Sequence, residues 1–279
     1  MPLVVSLGTN SAGREPSPEI WDRISLSDVW HGKAFLFHED FKGFGLTTAV
    51  SSNVGLYSGQ HHWRSYEDTG DAITQLATDE DGVCAIAIAA TNNNESWISP
   101  GSATAVLCRP RTPANDGRSI FFEARVNMST LVGNMFVGLT EEGLAAADTI
   151  ADSGGTLADK DYIGFLVDED APTVARFVAS KEGGTAVNIS SSVNTFVADT
   201  FVKLGFVIDM QERDTNKRVK FYVNGVEQGS YMTNAQYIDT THFCTDQELT
   251  ILFGGKNNNA AKTVRADWIR MGTLYTPSN

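Results

Sequence analysis

Hydrophobic and polar residues alternate with a period of two along most of the chain after residue 33. The clearest run covers residues 119–128 and places Phe122, Ala124, Val126 and Met128 on one face. Because successive side chains of a strand point to opposite faces, the run predicts a strand with one face on a core and the other partly wet. Similar runs rich in Val, Ile, Phe and Thr, separated by Gly, Asn, Asp and Ser, continue to residue 274 and predict an all-β fold.

Two local patterns refine this prediction. Residues 218–223 alternate and run into Asn224 and Gly225, which both tolerate positive φ and therefore predict a β-hairpin. Residues 141–150, with Leu144 and three alanines, favour a short helix. No fixed-period repeat and no linker is visible after residue 34. We therefore predict one β domain over residues 34–279, preceded by an N-terminal arm over residues 1–33.

The predicted arm carries large apolar side chains in a segment too short to build its own core. Pro18 followed by Glu19 is typical of a helix start. Trp21, Ile24 and Trp30 must pack either on the main domain or on another chain. We predict them as partner contacts.

Charge narrows the function classes. The chain has 34 acidic and 21 basic residues, which gives a formal net charge of −13. Nucleic-acid binding needs a basic surface that neutralises phosphates, so the charge argues against it and against attraction to an anionic membrane. No run approaches the ~20 apolar residues that a membrane-spanning helix requires.

The three cysteines, Cys84, Cys108 and Cys244, are an odd number without metal-ligand spacing. They predict reduced thiols rather than a disulfide framework or a zinc site. The first residues lack the basic and long apolar regions of a signal peptide, so we expect synthesis in a reducing cytoplasm without secretion.

Four short motifs, in order, resemble the concanavalin A-like (laminin G-like, legume-lectin and glucanase) jelly-roll superfamily. They are an Asp-Phe-x-Gly segment within residues 37–44, Phe-Glu-Ala-Arg-Val at 122–126, Phe-Tyr-Val-Asn-Gly at 221–225, and residues 267–271. The resemblance covers residues 34–275 and implies a sandwich of two antiparallel sheets, in which residues 267–271 form a closing strand that pairs with the first strand.

The glucanase branch of the superfamily uses two Glu around an Asp on one strand, in the order Glu-x-Asp-x-x-Glu. No such pattern occurs in this chain. Its acidic groups, at 79–81, 141–142 and 168–170, lie next to Gly or Pro and are typical of solvated turns. We therefore predict a protein that is not an enzyme.

Two sets of residues remain as candidate ligand sites. Sugar sites of this superfamily combine an aromatic platform with Asn and Asp in loops, which implicates Asn93, Trp97, Asn257 and Asn258. These asparagines could equally be plain turn formers, since Asn tolerates left-handed backbone. No cofactor is predicted. Weak calcium candidates, which fit no dedicated loop pattern, are Asp159, Asp161, Asp168 and Asp170.

Our main functional hypothesis is a phage virion structural protein, either a capsid decoration protein or a head or tail surface protein. Its partners would be the major capsid protein and copies of itself, and it would be located in the virion. The arm and the resemblance of acidic laminin G-like domains to tailed-phage structural proteins favour this hypothesis. The alternative is a lectin-like module that binds surface glycans. A glycan hydrolase is the third class.

Overall fold

The structure is a computed structural model that describes residues 13–42, 55–58, 61–76, 82–101, 106–111, 118–151, 156–184, 186–239 and 241–275. Within these ranges the helices are short: α1 (Pro18–Trp21), α2 (Leu26–Trp30) and α3 (Asn234–Ile238). None of the described helices is long and apolar enough to cross a membrane.

Sixteen strands in the described ranges form two eight-stranded sheets whose neighbouring strands are all antiparallel. Sheet A has the order β14 (Val226–Met232), β13 (Val219–Val223), β12 (Val202–Ile208), β7 (Arg118–Met128), β16 (Lys262–Tyr275), β5 (Cys84–Ile88) and β4 (Ala72–Gln75), and β1 (Ala34–Glu39) also pairs with β16. Sheet B has the order β11 (Val187–Thr195), β10 (Val174–Ser180), β9 (Tyr162–Val167), β8 (Asn134–Glu141), β15 (Leu249–Lys256), β6 (Glu95–Pro100), β3 (His61–Glu67) and β2 (Gly55–Ser58). The predicted all-β sandwich of two antiparallel sheets is confirmed.

Phenylalanine rings from both sheets fill the space between them. Phe122 of β7 stacks on Phe206 of β12 with ring centroids 5.1 Å apart. Phe177 of β10 reaches across the sandwich to Phe221 of β13, at 5.0 Å, and to Phe206, at 5.6 Å. Such aromatic pairs add to the free energy of burial and fix how one sheet lies over the other.

Two predicted strand features appear as expected. The residues predicted to face the core from β7, Phe122, Ala124, Val126 and Met128, all lie in the main core cluster. Asn224 and Gly225 have φ of 51° and 80° and form the tight turn between β13 and β14.

The ends of the domain also meet as the superfamily resemblance implied. β1 begins at Ala34 and pairs with β16, so that Phe37 faces Met271 and His38 faces Arg270. Of the predicted first-strand motif, residues 37–42 are described and residues 43 and 44 lie outside the described residues.

The predicted helix at 141–150 is wrong. Glu141 ends β8, and the residues after it form turns that lead to an isolated bridge between Ile150 and Leu157. Leu144 and Ala145 are buried against sheet B, and the Thr149 hydroxyl donates to the carbonyl oxygen of Leu144 at 2.6 Å. Packing and this side-chain bond therefore override the helical preference of the alanines.

The outer face of β7 is covered rather than wet. Residues 17–24 lie across this face, and Ile20 and Trp21 of α1 form a second apolar cluster with Phe121, Val207 and Tyr222. Glu123, 1% exposed, accepts hydrogen bonds from the backbone N–H of Ser17 at 3.0 Å and from Trp21 Nε1 at 2.8 Å. The segment before β1 is thus bonded to the sandwich through a buried carboxylate.

Candidate binding site

The outer face of sheet B is filled by the chain's own aromatic rings. Gly138 of β8 pairs with Gly164 of β9, and the ring of Phe136 lies over both. A Cβ atom at Gly164 would lie 2.6 Å from the Val137 carbonyl oxygen and 2.8 Å from the Phe136 ring. These glycines therefore leave the space that the ring occupies.

Residues 144–157 then cover this face. Leu144, Ala145, Ile150 and Leu157 form an apolar cluster with Trp97, Phe136, Tyr162, Leu166, Val178 and Leu252. Glu95, 2% exposed, accepts bonds from Trp97 Nε1 at 2.8 Å and from the backbone N–H groups of Thr149 and Ile150 at 3.1 and 3.3 Å. Burial raises the pKa of Glu95 to about 7 even though these bonds and Lys256, 3.8 Å away, favour its charged form.

The predicted sugar-binding residues are not brought together as an open platform. Trp97 is fully buried under the covering residues, so the prediction that it forms an exposed platform is wrong. Asn257 is also fully buried, and its side-chain amide donates to the carbonyl oxygen of Ala89. Asn93 has φ of 65° in a turn, which is the alternative role considered for it, and Asn258 is exposed. Binding by these two asparagines stays a prediction.

The four calcium candidates lie at opposite ends of β9, which separates them by roughly 20 Å at ~3.3 Å per residue. They therefore cannot share one ion. Asp168 pairs with Arg176 at 2.6 Å, and Asp170 is exposed nearby. At the other end, Asp159 accepts a bond from the backbone N–H of Gly183 at 2.7 Å.

Asp161 lies in an acidic group that the sequence did not reveal. Carboxylate oxygens of Asp161, Glu141 and Glu182 lie within 4.8 Å of one another. Lys160 Nζ lies 2.8 Å from Glu141 and 2.9 Å from Glu182, so a lysine ammonium already neutralises part of this charge. Burial raises the pKa of Asp161. Calcium binding there stays a prediction.

The three predicted partner-contact residues separate into two groups. Trp21, 8% exposed, is packed on its own domain, so its prediction as a partner contact is wrong, whereas Ile24 packs beside it but is only partly buried, and its partner contact stays a prediction. Trp21 packs against Phe121 on the outer face of β7 and helps to bury its ring completely. Trp30 is 85% exposed, and its partner contact stays a prediction.

A cleft of about 400 Å³ opens at the end of the sandwich where strand ends of both sheets meet. From sheet A it is lined by Phe35 of β1, Arg118 at the start of β7 and Thr273 of β16. Residues 107–111 form the rest of the lining, and Cys108 forms an isolated bridge with Leu249 at the start of β15. Its volume falls within the range of small-molecule sites, on the order of 300–1,000 Å³.

Three arginines and an aromatic ring give this cleft its chemistry. Arg109, Arg111 and Arg118 are exposed, and Phe35 is 43% exposed. The Arg118 guanidinium lies 5.8 Å from the ring centroid of Tyr275. The cleft can therefore offer planar hydrogen-bond donors beside an apolar ring.

Sequence patterns missed this cleft. The three arginines lie within ten residues of one another, but the residues between them have no strand pattern that would place them in a site. The signal that was available was the grouping itself, since an acidic chain that places three arginines in so short a stretch concentrates positive charge there.

Comparisons with known proteins address the fold. No family model matches the chain, and no curated protein sequence matches it. Among solved structures, a protein of unknown function from Shewanella oneidensis MR-1 superimposes with a TM-score of 0.51 at 14% identity, over 92% of this chain and 98% of that chain. Peanut lectin superimposes with a TM-score of 0.54 at 9% identity, over 88% of this chain and 99% of that chain.

At identities this low the likeness shows the fold alone. That fold is the concanavalin A-like jelly roll, as in peanut lectin. The jelly-roll fold that the four motifs implied is therefore confirmed.

Proposed function

We propose that the chain is a carbohydrate-binding, lectin-like module and that the cleft at the end of the sandwich is its binding site. The observation that carries the proposal is the cleft itself, in which Phe35 offers an exposed ring beside the guanidinium donors of Arg109, Arg111 and Arg118. Sugars bind to such combinations because the ring covers their apolar C–H face while planar donors bond their oxygen atoms. The shared fold with peanut lectin supports the same class of function.

The test compares glycan binding by the purified chain with binding by a variant that lacks the Phe35 ring. A glycan array identifies ligands, and calorimetry measures their affinity for wild type and for Phe35→Ala. We expect the variant to bind roughly tenfold more weakly, because loss of a stacked ring removes on the order of 1–2 kcal/mol. Val226→Ala, at a position that is 64% exposed and outside the cleft lining, is the matched control. A chain that binds no glycan at millimolar concentration would contradict the proposal.

The proposed activity is binding without turnover. Two carboxylates on the outer face of sheet B are engaged in hydrogen bonds or ion pairs within the chain: Glu95 with Trp97 and the covering backbone, and Asp168 with Arg176. We expect no release of reducing ends from glucan or mucin glycans. Hydrolysis that disappears in Glu95→Gln, or in Glu123→Gln, would contradict this part of the proposal.

The second candidate function is the predicted contact role in a phage virion, with the major capsid protein or a second copy as partner. One observation favours a contact role: Trp30 is 85% exposed on α2, beside β1, where Leu26 and Leu36 are 47% and 37% exposed. Light scattering of wild type and Trp30→Ser tests self-association, and co-sedimentation with capsids tests the capsid partner. A wild-type chain that is monomeric and binds no capsid would contradict this candidate.

A further inference from the structure

The charge of the cleft differs from the charge of the chain. The whole chain carries a formal net charge of −13, whereas the described residues that line the cleft include three arginines and no carboxylate. Because like charges disfavour one another, three neighbouring arginines that form no ion pair with a described carboxylate raise the free energy of the folded protein. A ligand that supplies the missing negative charge would lower it.

The described part of the chain does not supply that counter-charge itself. It places no carboxylate within 4.0 Å of the guanidinium groups of Arg109, Arg111 or Arg118. The hydrogen bond with Lys181 is the largest cause that lowers the pKa of Asp246, and Arg109 makes a smaller contribution in the same direction. Elsewhere the chain does pair its arginines with aspartates, as at Arg14, Arg23, Arg125, Arg176 and Arg265.

We propose that the cleft binds an acidic carbohydrate, with the carboxylate or sulfate group of the sugar held by Arg109, Arg111 and Arg118. The inference rests on the proposed carbohydrate-binding function and names its ligand class. A guanidinium group fits a planar carboxylate or a sulfate with two parallel N–H bonds, which a hydrated lysine ammonium does not do. Phe35 lies in the same lining and would contact the sugar ring that carries the anion.

Calorimetry with four probes tests the inference: glucuronate, galactose 6-sulfate, galactose and inorganic sulfate. We expect the two acidic sugars to bind more tightly than galactose and inorganic sulfate. Raising the salt concentration from about 50 mM to about 500 mM should weaken the binding of acidic sugars several-fold, because salt screens the charge pairs. The affinity for galactose, which carries no charge, should stay the same. In Arg109→Gln, Arg118→Gln and the double variant, binding of the acidic sugars should weaken roughly tenfold for each arginine removed.

Arg213→Gln is the control, because Arg213 is exposed, lies outside the cleft lining and loses the same charge. Circular dichroism verifies that each variant is folded. Equal binding of galactose and glucuronate, unaffected by the arginine variants, would overturn the inference and leave the proposed function standing. Binding of no sugar at all would overturn both. Inorganic sulfate that binds as tightly as galactose 6-sulfate would overturn the assignment of a sugar ligand and retain only an oxyanion site.

Discussion

The buried carboxylate of Glu123 allows a sharp test of how the N-terminal segment is held. It accepts bonds from the backbone N–H and the hydroxyl of Ser17 and from Trp21 Nε1. Glu123→Ala removes the acceptor of all three donors. Glu123→Gln keeps an oxygen for the Ser17 N–H and Trp21, while its amide group can donate to the Ser17 hydroxyl.

The two variants should differ strongly in stability. Each buried donor left without an acceptor costs about 1–3 kcal/mol, and the Ser17 hydroxyl can rotate toward another acceptor. Burial raises the pKa of Glu123, so removing the carboxylate also returns part of its desolvation cost. We therefore expect Glu123→Ala to lower the free energy of unfolding by about 3 kcal/mol and Glu123→Gln to lower it by less than about 1 kcal/mol.

Urea unfolding at neutral pH, followed by circular dichroism, measures these differences. Trypsin cleavage after Arg23 reports on the segment itself, because Arg23 is held by an ion pair with Asp209. Cleavage should be fast in Glu123→Ala and slow in wild type and Glu123→Gln. The reasoning is refuted if Glu123→Ala unfolds within about 0.5 kcal/mol of wild type and resists trypsin equally well.

Three further predictions concern the interior and the cleft. Burial raises the pKa of Glu67 from 4.5 to about 7, so the folded state holds a proton in this pH range that the unfolded chain has lost. The free energy of unfolding should therefore fall by up to about 3 kcal/mol as the pH rises from 4.5 to above 7. Glu67→Gln should flatten this pH dependence in urea unfolding, whereas Glu248→Gln, at an exposed position, should leave it unchanged. Gly164→Ala should cost more than about 3 kcal/mol because its Cβ meets backbone, whereas Gly229→Ala, with nothing within 4 Å, should be neutral in the same assay. Cys108 lines the cleft and is the one cysteine that is not fully buried. A bound acidic sugar should therefore slow the reaction of Cys108 with a thiol reagent. An unchanged reaction rate at saturating ligand would contradict the cleft as the binding site.

The strands were predictable because their signal is local. In β7 the alternation of residues 119–128 identified both the strand and its core face. The same alternation suggested a partly wet outer face, since Glu123 and Arg125 are charged. That face is covered by Ser17 and Trp21, more than 100 residues earlier in the chain, and a strand period carries no information about what packs on it.

The candidate sites were harder to predict because they depend on contacts between distant residues. Trp97 beside asparagines has the composition of a sugar platform, and only the position of residues 144–157 shows that it is buried. The arginine cleft likewise arises from pairings: Phe35 with Thr273, Arg118 with Tyr275, and Cys108 with Leu249. Sequence spacing gives the residue types in such a site but not their convergence.

The pairing of β1 with β16 has a consequence for the order of folding. It joins His38 to Arg270 across 232 residues, so it closes one of the longest loops in the chain and belongs to the slow, non-local contacts of the sandwich. Phe35 and Thr273 reach the cleft only through this pairing. A partly folded chain would therefore form its strands and much of its core before it formed the binding site. The rate at which ligand binding appears during refolding would then measure the rate at which β1 pairs with β16.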